Sequence, residues 1–363
     1  MRFVLVQCAR VAAAAAAIYA LLAAVAVLLV PFPKPGAALD TAAAPHTIFA
    51  NDAKYVVLAR VGVADEAPAV VLLGGSQVEY GFRQPELQAL VPGAVVHNMA
   101  VGRANYTEVA EIADLMLERM SAAARRRAIF VIGAAAAMFP EDRIRWTLPT
   151  RNPGGVTDIE FEAQHFRLYR RAGRHLIAVL PPADLRYALF ALYPLVLGEY
   201  VAHAARDAWS DAVPPPGEPR GFARRDGDLD AVVLTEPEKA AYLARRARIM
   251  GTAGPLATEQ IDALSRLVER LLAAGSRVVM VDLPTPRWAS RGSPYQANYQ
   301  RQVRPVLDRL AGLGAVYVNM QDMDRDEDFY DDAHPKPRAA RQWSARLAPI
   351  LNGLLGEQVA EKD

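Results

Sequence analysis

Five short apolar segments recur along the chain and alternate with amphipathic stretches. The apolar residues fill most positions of each segment instead of alternating with polar ones, which is typical of strands buried on both faces. We therefore predict strands at residues 70–73, 94–98, 128–132, 277–282 and 315–319. Helical periodicity lies between them, at residues 106–122, 258–274 and 295–313, and Gly275 and Gly314 are placed as helix stops. This βαβ alternation predicts an α/β fold, a five-stranded parallel sheet with helices on both sides.

The alternation breaks off between about Phe139 and Pro255, where a proline-rich loop at residues 214–217 interrupts the chain. We therefore expect residues 66–136 and 257–363 to form the α/β domain and residues 137–256 to be a largely helical insertion. Within the insertion, residues 185–209 are apolar and rich in aromatic side chains. They predict either a helix packed on the domain body or an interfacial or partner-docking helix.

Residues 11–30 form an uncharged apolar run of about 20 residues, the length that a helix needs to cross a bilayer. Arg2 and Arg10 precede this run and residues 31–35 end it with prolines, so the charge bias places the N-terminus in the cytoplasm. We expect residues 1–35 to be a single-pass anchor in the inner (cytoplasmic) membrane, residues 36–65 a linker and entry segment, and the domain to be periplasmic or extracellular. A cleaved signal peptide, processed near residues 42–44, is the alternative; the apolar segments of signal peptides are shorter, about 7–15 residues.

Bulk composition excludes several classes of function. The 363 residues carry a net charge of +1, and 52% of them are hydrophobic, which suits one large domain with a full core. Without basic clusters interleaved with aromatic residues, nucleic acid is not an expected partner. The only cysteine, Cys8, precedes the apolar run and indicates neither a disulfide nor a lipid anchor.

No metal or cofactor is expected either. The acidic run at residues 322–326 resembles a calcium loop, but Glu327 and Ala333 occupy the positions where that loop needs Gly and Glu. We interpret the run as a solvated acidic loop. Five further histidines lack the spacing of metal ligands: His46, His97, His165, His175 and His203.

Ser76 and His334 carry the clearest chemical signal. Ser76 follows the first predicted strand and two glycines, so its hydroxyl is expected at the carboxyl edge of the sheet, where open α/β sheets bind ligands. A serine becomes an effective nucleophile when a histidine takes its proton and an acid orients that histidine. Asp331 stands three residues before His334, and Asp332 is the alternative acid. The sequence therefore predicts a Ser76–His334–Asp331 triad.

These blocks resemble the SGNH (GDSL-like) hydrolase superfamily over residues 66–136 and 257–354. Members carry the nucleophile in a Gly-Asp-Ser or Gly-Ser-Ser block, a Gly block after the second strand, and a terminal Asp-x-x-His; the matching segments here are residues 74–76, 98–102 and 331–334. The resemblance implies a flavodoxin-like three-layer sandwich. It also implies that the backbone N–H groups of Ser76 and Gly102 stabilise the oxyanion.

The chain departs from that family at one block. Where members carry Gly-x-Asn-Asp, whose Asn donates to the oxyanion, this chain has alanines at positions 134–136. Asn105 is the nearest replacement donor, although it also suits the cap of the helix predicted to begin near Tyr106. The departure therefore implies weaker hydrolysis or a substitute donor.

The anchor, the early Ser block, the insertion and the late Asp-x-x-His together resemble membrane-anchored SGNH-like proteins of cell-surface acylation. These include the D-alanyl transfer protein of teichoic-acid D-alanylation and the SGNH partners of membrane-bound O-acyltransferases. The resemblance implies a serine acyltransferase or esterase that acts on O-acyl groups of a surface polysaccharide or related polymer, beside a membrane-bound O-acyltransferase-type partner. The alternatives are a plain carbohydrate or lipid esterase and a non-catalytic scaffold or polysaccharide-binding component.

Overall fold

The protein is described from a computed structural model. The structure describes residues 2–29, 37–42, 63, 67–102, 104–139, 169–172, 175–178, 197–198, 201, 205, 226–250, 256–291 and 293–360.

Five strands form one all-parallel sheet, in the spatial order β2-β1-β3-β6-β7. Omitting the separate hairpin made by β4 and β5, this order reads 2-1-3-4-5, one of the two common doubly wound arrangements. The α/β prediction is confirmed, and the strands lie within two residues of the predicted bounds. The strands are β1 (Ala69–Leu73), β2 (Val95–Asn98), β3 (Ala128–Ala134), β4 (Tyr169–Ala172), β5 (His175–Ala178), β6 (Arg277–Asp282) and β7 (Val316–Asn319).

The helices follow the predicted pattern, with breaks at identifiable residues. The predicted helix at 295–313 is two helices, because Pro305 has no N–H to bond to residue 301 and its ring crowds the preceding turn. Gly275 and Gly314 end their helices with φ of 83° and 106°. The helices are α1 (Arg2–Leu29), α2 (Ser76–Gly81), α3 (Gln84–Leu90), α4 (Tyr106–Arg119), α5 (Ala122–Arg127), α6 (Asp226–Asp230), α7 (Glu236–Met250), α8 (Thr258–Ala273), α9 (Arg287–Ser290), α10 (Pro294–Gln302), α11 (Arg304–Gly312) and α12 (Pro337–Ala360).

Helices cover both faces of the sheet. One group packs α8 against α4 and α11, and the other packs α12 against α2 and α3. Every residue of β1 and β3 is buried, as expected for strands covered on both sides. Trp343 of α12 lies at the centre of the second group, where its ring packs beside Phe82 and Phe329. This packing fixes the last helix, and the loop before it, against the helix that begins with Ser76.

One helix in the described part of the chain is long and apolar enough to cross a membrane: residues Arg2–Val25 of α1. Its side chains are almost all exposed, with 6% of the window buried, which distinguishes it from a core helix. The described residues of the predicted insertion comprise the β4–β5 hairpin, α6 and α7. The apolar stretch at residues 185–209 lies almost wholly outside the described residues, so its docking role stays a prediction.

Candidate active site

The turn before Ser76 requires glycine at position 74. Gly74 has φ of 153°, and a Cβ on it would lie 2.5 Å from Cγ2 of Val78. At Gly75 such a Cβ would be in ordinary van der Waals contact with Met138, at 3.6 Å, so no steric clash requires glycine there. Helix α2 begins at Ser76 itself, directly after the second glycine. The N–H groups of Ser76 and Gln77 therefore have no partner within their own helix.

The structure brings together the three residues of the predicted triad. The Nε2 atom of His334 lies 2.7 Å from Oγ of Ser76, across 258 positions of sequence. The Nδ1 atom of His334 lies 2.7 Å from Oδ2 of Asp331. The imidazole is 22% exposed and the carboxylate 14%, and Ser76 is half-buried, so the triad is partly accessible to solvent. This arrangement has the connectivity that serine nucleophiles need.

Asp331 also folds the turn that presents the histidine. Its Oδ1 accepts hydrogen bonds from the backbone N–H of Ala333 at 2.9 Å and of His334 at 2.7 Å. The N–H of Tyr330 donates to the carbonyl of His334 at 3.2 Å and closes the loop. One carboxylate oxygen thus holds the backbone while the other meets the ring. This double use gives a physical reason for the three-residue spacing.

The electrostatics of the pair favour an ionised acid beside a basic imidazole. Burial opposes the charge on His334, but the carboxylates of Asp331, Asp332 and Glu79 together outweigh it and raise the pKa of the imidazole above its ordinary value. Burial likewise opposes the charge on Asp331, yet the imidazole and three hydrogen bonds lower the pKa of this carboxyl. Burial raises the pKa of Asp332, which pairs with Arg246 at 3.8 Å. The geometry therefore favours Asp331 over Asp332 as the orienting acid.

Three residues that sequence reasoning missed surround the triad. Nε2 of Gln77 donates to the carbonyls of Pro284 at 3.1 Å and Ala333 at 3.0 Å, and so ties the serine helix to the histidine loop. Tyr330 stacks on the imidazole with ring centroids 5.6 Å apart, and Tyr80 meets it edge-on at 5.5 Å. Only proximity in sequence, one residue after Ser76 and one before Asp331, could have pointed to Gln77 and Tyr330.

Of the two predicted oxyanion donors outside the serine turn, Gly102 lies in a loop beside that turn, whereas Asn105 caps a helix. The N–H of Val101 donates to the carbonyl of Gly74 at 2.8 Å, which sets the Gly102 loop beside the turn that carries Ser76. Asn105 caps helix α4, because its Oδ1 accepts from the N–H groups of Thr107 and Glu108 at 3.1 and 3.2 Å. Glu108 completes a capping box. The oxygen of Asn105 is thus committed to the helix, and its part in an oxyanion hole stays a prediction.

The end of β3 offers no side-chain donor. Ala135 is buried and precedes a short 3₁₀ helix, Ala136–Met138. Beyond it lies a small cleft lined by Ala136, Arg246, Thr285, Ala289, Ser290, Ser293, Tyr295 and Gln296. In the described part of the chain, no group of three His, Cys, Asp or Glu side chains could hold a metal ion. In the acidic run, Asp322 and Asp324 pair with Arg346 and Arg287.

Comparison with models of known protein families finds no match to this chain, and a search of curated proteins finds none either.

Proposed function

We propose that the protein is a membrane-anchored, extracytoplasmic serine O-acyltransferase or esterase that acts on O-acyl groups of a cell-surface polysaccharide or related polymer. The observation that carries the proposal is the hydrogen-bonded chain from Asp331 through His334 to Ser76, with both links at 2.7 Å. It lies at the carboxyl edge of a parallel sheet, where strand order 2-1-3 makes the crevice between β1 and β3.

The chemistry follows from this geometry. Oγ of Ser76 attacks the acyl carbonyl while Nε2 of His334 takes its proton, and Asp331 stabilises the resulting imidazolium. The N–H groups of Ser76 and Gly102 are the proposed donors to the oxyanion. Collapse of the tetrahedral intermediate breaks the ester bond, and the departing alkoxide takes the proton from His334. The acyl group then rests on Ser76 until an acceptor hydroxyl, or water, attacks it with His334 again as the base; the bond from the acyl carbon to Oγ breaks and His334 returns the proton to Oγ.

Membership of the SGNH superfamily is part of the proposal. It is supported by the strand order, by the serine at the end of β1 and by the histidine before the last helix. The apolar helix α1 supports attachment to the membrane. A membrane-bound O-acyltransferase-type partner is proposed on the resemblance alone.

Transfer is preferred over hydrolysis because the end of β3 carries Ala135 in place of a side-chain donor. Loss of one oxyanion donor costs about 3 kcal/mol of transition-state stabilisation. Tethering to a membrane partner raises the effective concentration of the acyl group and partly offsets that loss.

The test is a rapid-quench experiment with an activated acetate ester. Mass spectrometry of the intact protein should find one acetyl group, and peptide mapping should locate it on the peptide that contains Ser76. An added oligosaccharide hydroxyl should remove the acetyl group faster than water does. Ala135→Asn should speed hydrolysis. Fast hydrolysis by the unmodified protein, without transfer, would favour the plain esterase instead.

A non-catalytic scaffold is the second candidate, and Ala135 is the specific observation that favours it. In a scaffold, Ser76 would carry no acyl group at any quench time, although the protein would still bind polysaccharide. Polysaccharide binding that survives Ser76→Ala, together with the absence of an acyl intermediate, would support this candidate.

A further inference from the structure

Residues 37–42, which we call the juxtamembrane segment, lie beside the carboxyl end of β2, the outermost strand on one side of the sheet. The candidate site lies at the carboxyl ends of the same sheet. Asp40 forms a parallel bridge with Asn98, the last residue of β2. The N–H of Asn98 donates to the carbonyl of Leu39 at 2.7 Å, and the N–H of Thr41 donates to the carbonyl of Asn98 at 2.9 Å. Leu39 and Thr41 are fully buried. The segment is therefore a built part of the domain beside its edge strand.

Two further contacts fix the register of the segment. The N–H of Leu39 donates to Nδ1 of His97 at 3.1 Å, and the hydroxyl of Thr41 donates to the carbonyl of Ala100 at 2.7 Å. The side chain of Leu39 joins the main hydrophobic core. Backbone pairing, side-chain hydrogen bonds and core packing thus act on one short stretch.

Asn98 links the juxtamembrane segment to the helix that begins with Ser76. While its backbone holds the juxtamembrane segment, its Nδ2 donates to the carbonyls of Glu79 at 3.0 Å and Phe82 at 3.3 Å, at the end of the helix that Ser76 begins. Its Oδ1 accepts from the N–H of Ala100 at 3.2 Å, at the start of the Gly102 loop. The segment therefore supports both pieces of backbone that carry the proposed oxyanion donors.

The covalent chain sets how far this edge can lie from the membrane. Leu29 ends helix α1, and Leu39 is ten residues later. Ten residues span at most about 35 Å when fully extended. If α1 crosses a bilayer, Leu39 is held within about that distance of the membrane surface. The candidate site can lie farther from the membrane only by the distance between β2 and the triad.

We propose that the juxtamembrane segment is a positioning element that holds the candidate site at the membrane surface, where the substrate is presented on the bilayer. The position at the membrane and the presentation of the substrate rest on the proposed function, whereas the support that the segment gives to the domain does not. Cleavage near residues 42–44, as in the signal-peptide alternative, would separate a buried part of the domain from the rest. The anchor is accordingly retained in the working protein.

The first experiment cuts the full-length, detergent-solubilised protein on either side of the segment. A specific protease site is inserted after Pro35 in one variant and after Ala44 in the other. The cut after Pro35 should leave the thermal midpoint and the rate of fluorophosphonate labelling at Ser76 unchanged. The cut after Ala44 should lower the midpoint by several degrees and slow labelling about tenfold or more. Equal behaviour of the two cut proteins would overturn the positioning role.

A matched pair of point variants checks the same contact without a cut. Thr41→Ser keeps the hydroxyl that binds the carbonyl of Ala100, whereas Thr41→Val removes it with little change in volume. Labelling should slow in Thr41→Val and be close to normal in Thr41→Ser. The same rate in both variants would count against a role of this bond in positioning the loop.

The second experiment tests presentation at the membrane in proteoliposomes. A flexible Gly/Ser insertion of about 20 residues after Pro33 lengthens the tether and dilutes the site over a larger volume. Labelling by a soluble fluorophosphonate should be unchanged, and labelling by a lipid-anchored fluorophosphonate should fall several-fold. No difference with the lipid-anchored probe would overturn the membrane inference. If neither probe labels Ser76, the proposed function fails, while the thermal midpoints of the cut proteins still decide whether the segment supports the domain.

Discussion

Two carboxylates at the same edge of the sheet, the partly buried Asp331 and the fully buried Asp282, have different surroundings. One carboxylate oxygen of Asp331 is hydrogen-bonded to the imidazole of His334, and the other ring nitrogen is hydrogen-bonded to the hydroxyl of Ser76. Asp282, at the end of β6, is enclosed by Tyr299 at 2.7 Å, Tyr317 at 2.9 Å and Gln321 at 2.7 Å, with Arg304 at 3.7 Å. The first carboxylate is linked through an imidazole to a serine hydroxyl, whereas the described residues that contact the second are neutral donors and one arginine.

The pKa values of the two carboxyls are shifted in opposite directions. Burial is the largest influence on both carboxyls, but the imidazole and the backbone N–H groups lower the pKa of Asp331 below its ordinary value. At Asp282, burial prevails over the tyrosine, glutamine and arginine contacts and raises the pKa of the carboxyl. A buried acid is therefore not by itself evidence of catalysis, since its role depends on which group donates a hydrogen bond to it.

Removing the nucleophile or the base should produce the largest effect. Ser76→Ala and His334→Ala are each expected to lower kcat on an activated ester by about 10⁶-fold, and the double variant should be no worse, because triad members act as a unit. The check is steady-state hydrolysis, with thermal midpoints to verify folding. Additive losses in the double variant would show that the two side chains act independently.

Isosteric removal of the charge at Asp331 should come next. Asp331→Asn keeps an oxygen that can accept from the backbone of the turn but favours the wrong imidazole tautomer, so a loss of about 10⁴-fold in kcat is expected. The same assay measures it. A variant with more than a tenth of normal activity would indicate that Asp331 does not orient the imidazole.

Removal of the carboxylate of Asp282 should lower the stability of the protein and leave its activity unchanged. Asp282→Ala leaves the fully buried hydroxyl of Tyr299 without its acceptor, so we expect a loss of about 3–5 kcal/mol in the free energy of unfolding. Activity per folded molecule should not change. Tyr299→Phe, which removes one donor only, serves as the milder control. Denaturant titration and the ester assay together separate the two outcomes, and a large activity loss in folded Asp282→Ala would break the comparison.

The smallest effect concerns the contact between His97 and the juxtamembrane segment. Burial lowers the pKa of His97 to about 4, whereas the unfolded chain takes up this proton near pH 6.5. The neutral ring thus contributes stability above pH 6.5, and this contribution is lost as pH falls towards about 4, by at most about 3 kcal/mol. The difference in unfolding free energy between the normal protein and His97→Gln should shrink over that window. A difference independent of pH would contradict the assignment.

How much of this could be predicted from sequence differs between the two carboxylates. Asp331 was predictable, because it stands in a short pattern with His334 and the order of the blocks brings both to the edge where Ser76 lies. The strand that ends in Asp282 was also predictable from its apolar run. Its partners Tyr299 and Tyr317 were not, because they lie 17 and 35 residues away on separate elements and meet only when the sheet forms.

The juxtamembrane segment shows the same limit more strongly. Six residues are too few to carry a periodic pattern, and the hydrogen bond from Leu39 to His97 spans 58 positions. Asn105 is the contrasting case, since Asn followed by Glu three residues later is a local helix-start pattern and the structure has that capping box. Local chemistry was visible in the sequence, whereas contacts between distant segments depended on the topology.

We propose above all that Ser76 is a nucleophile activated by His334. The most direct test is labelling of the full-length protein by a fluorophosphonate, with the modified peptide identified by mass spectrometry. We expect one label, on Ser76, that disappears in Ser76→Ala, falls by orders of magnitude in His334→Ala and persists in Asp282→Ala. An unlabelled normal protein, or a label that remains in Ser76→Ala, would contradict it.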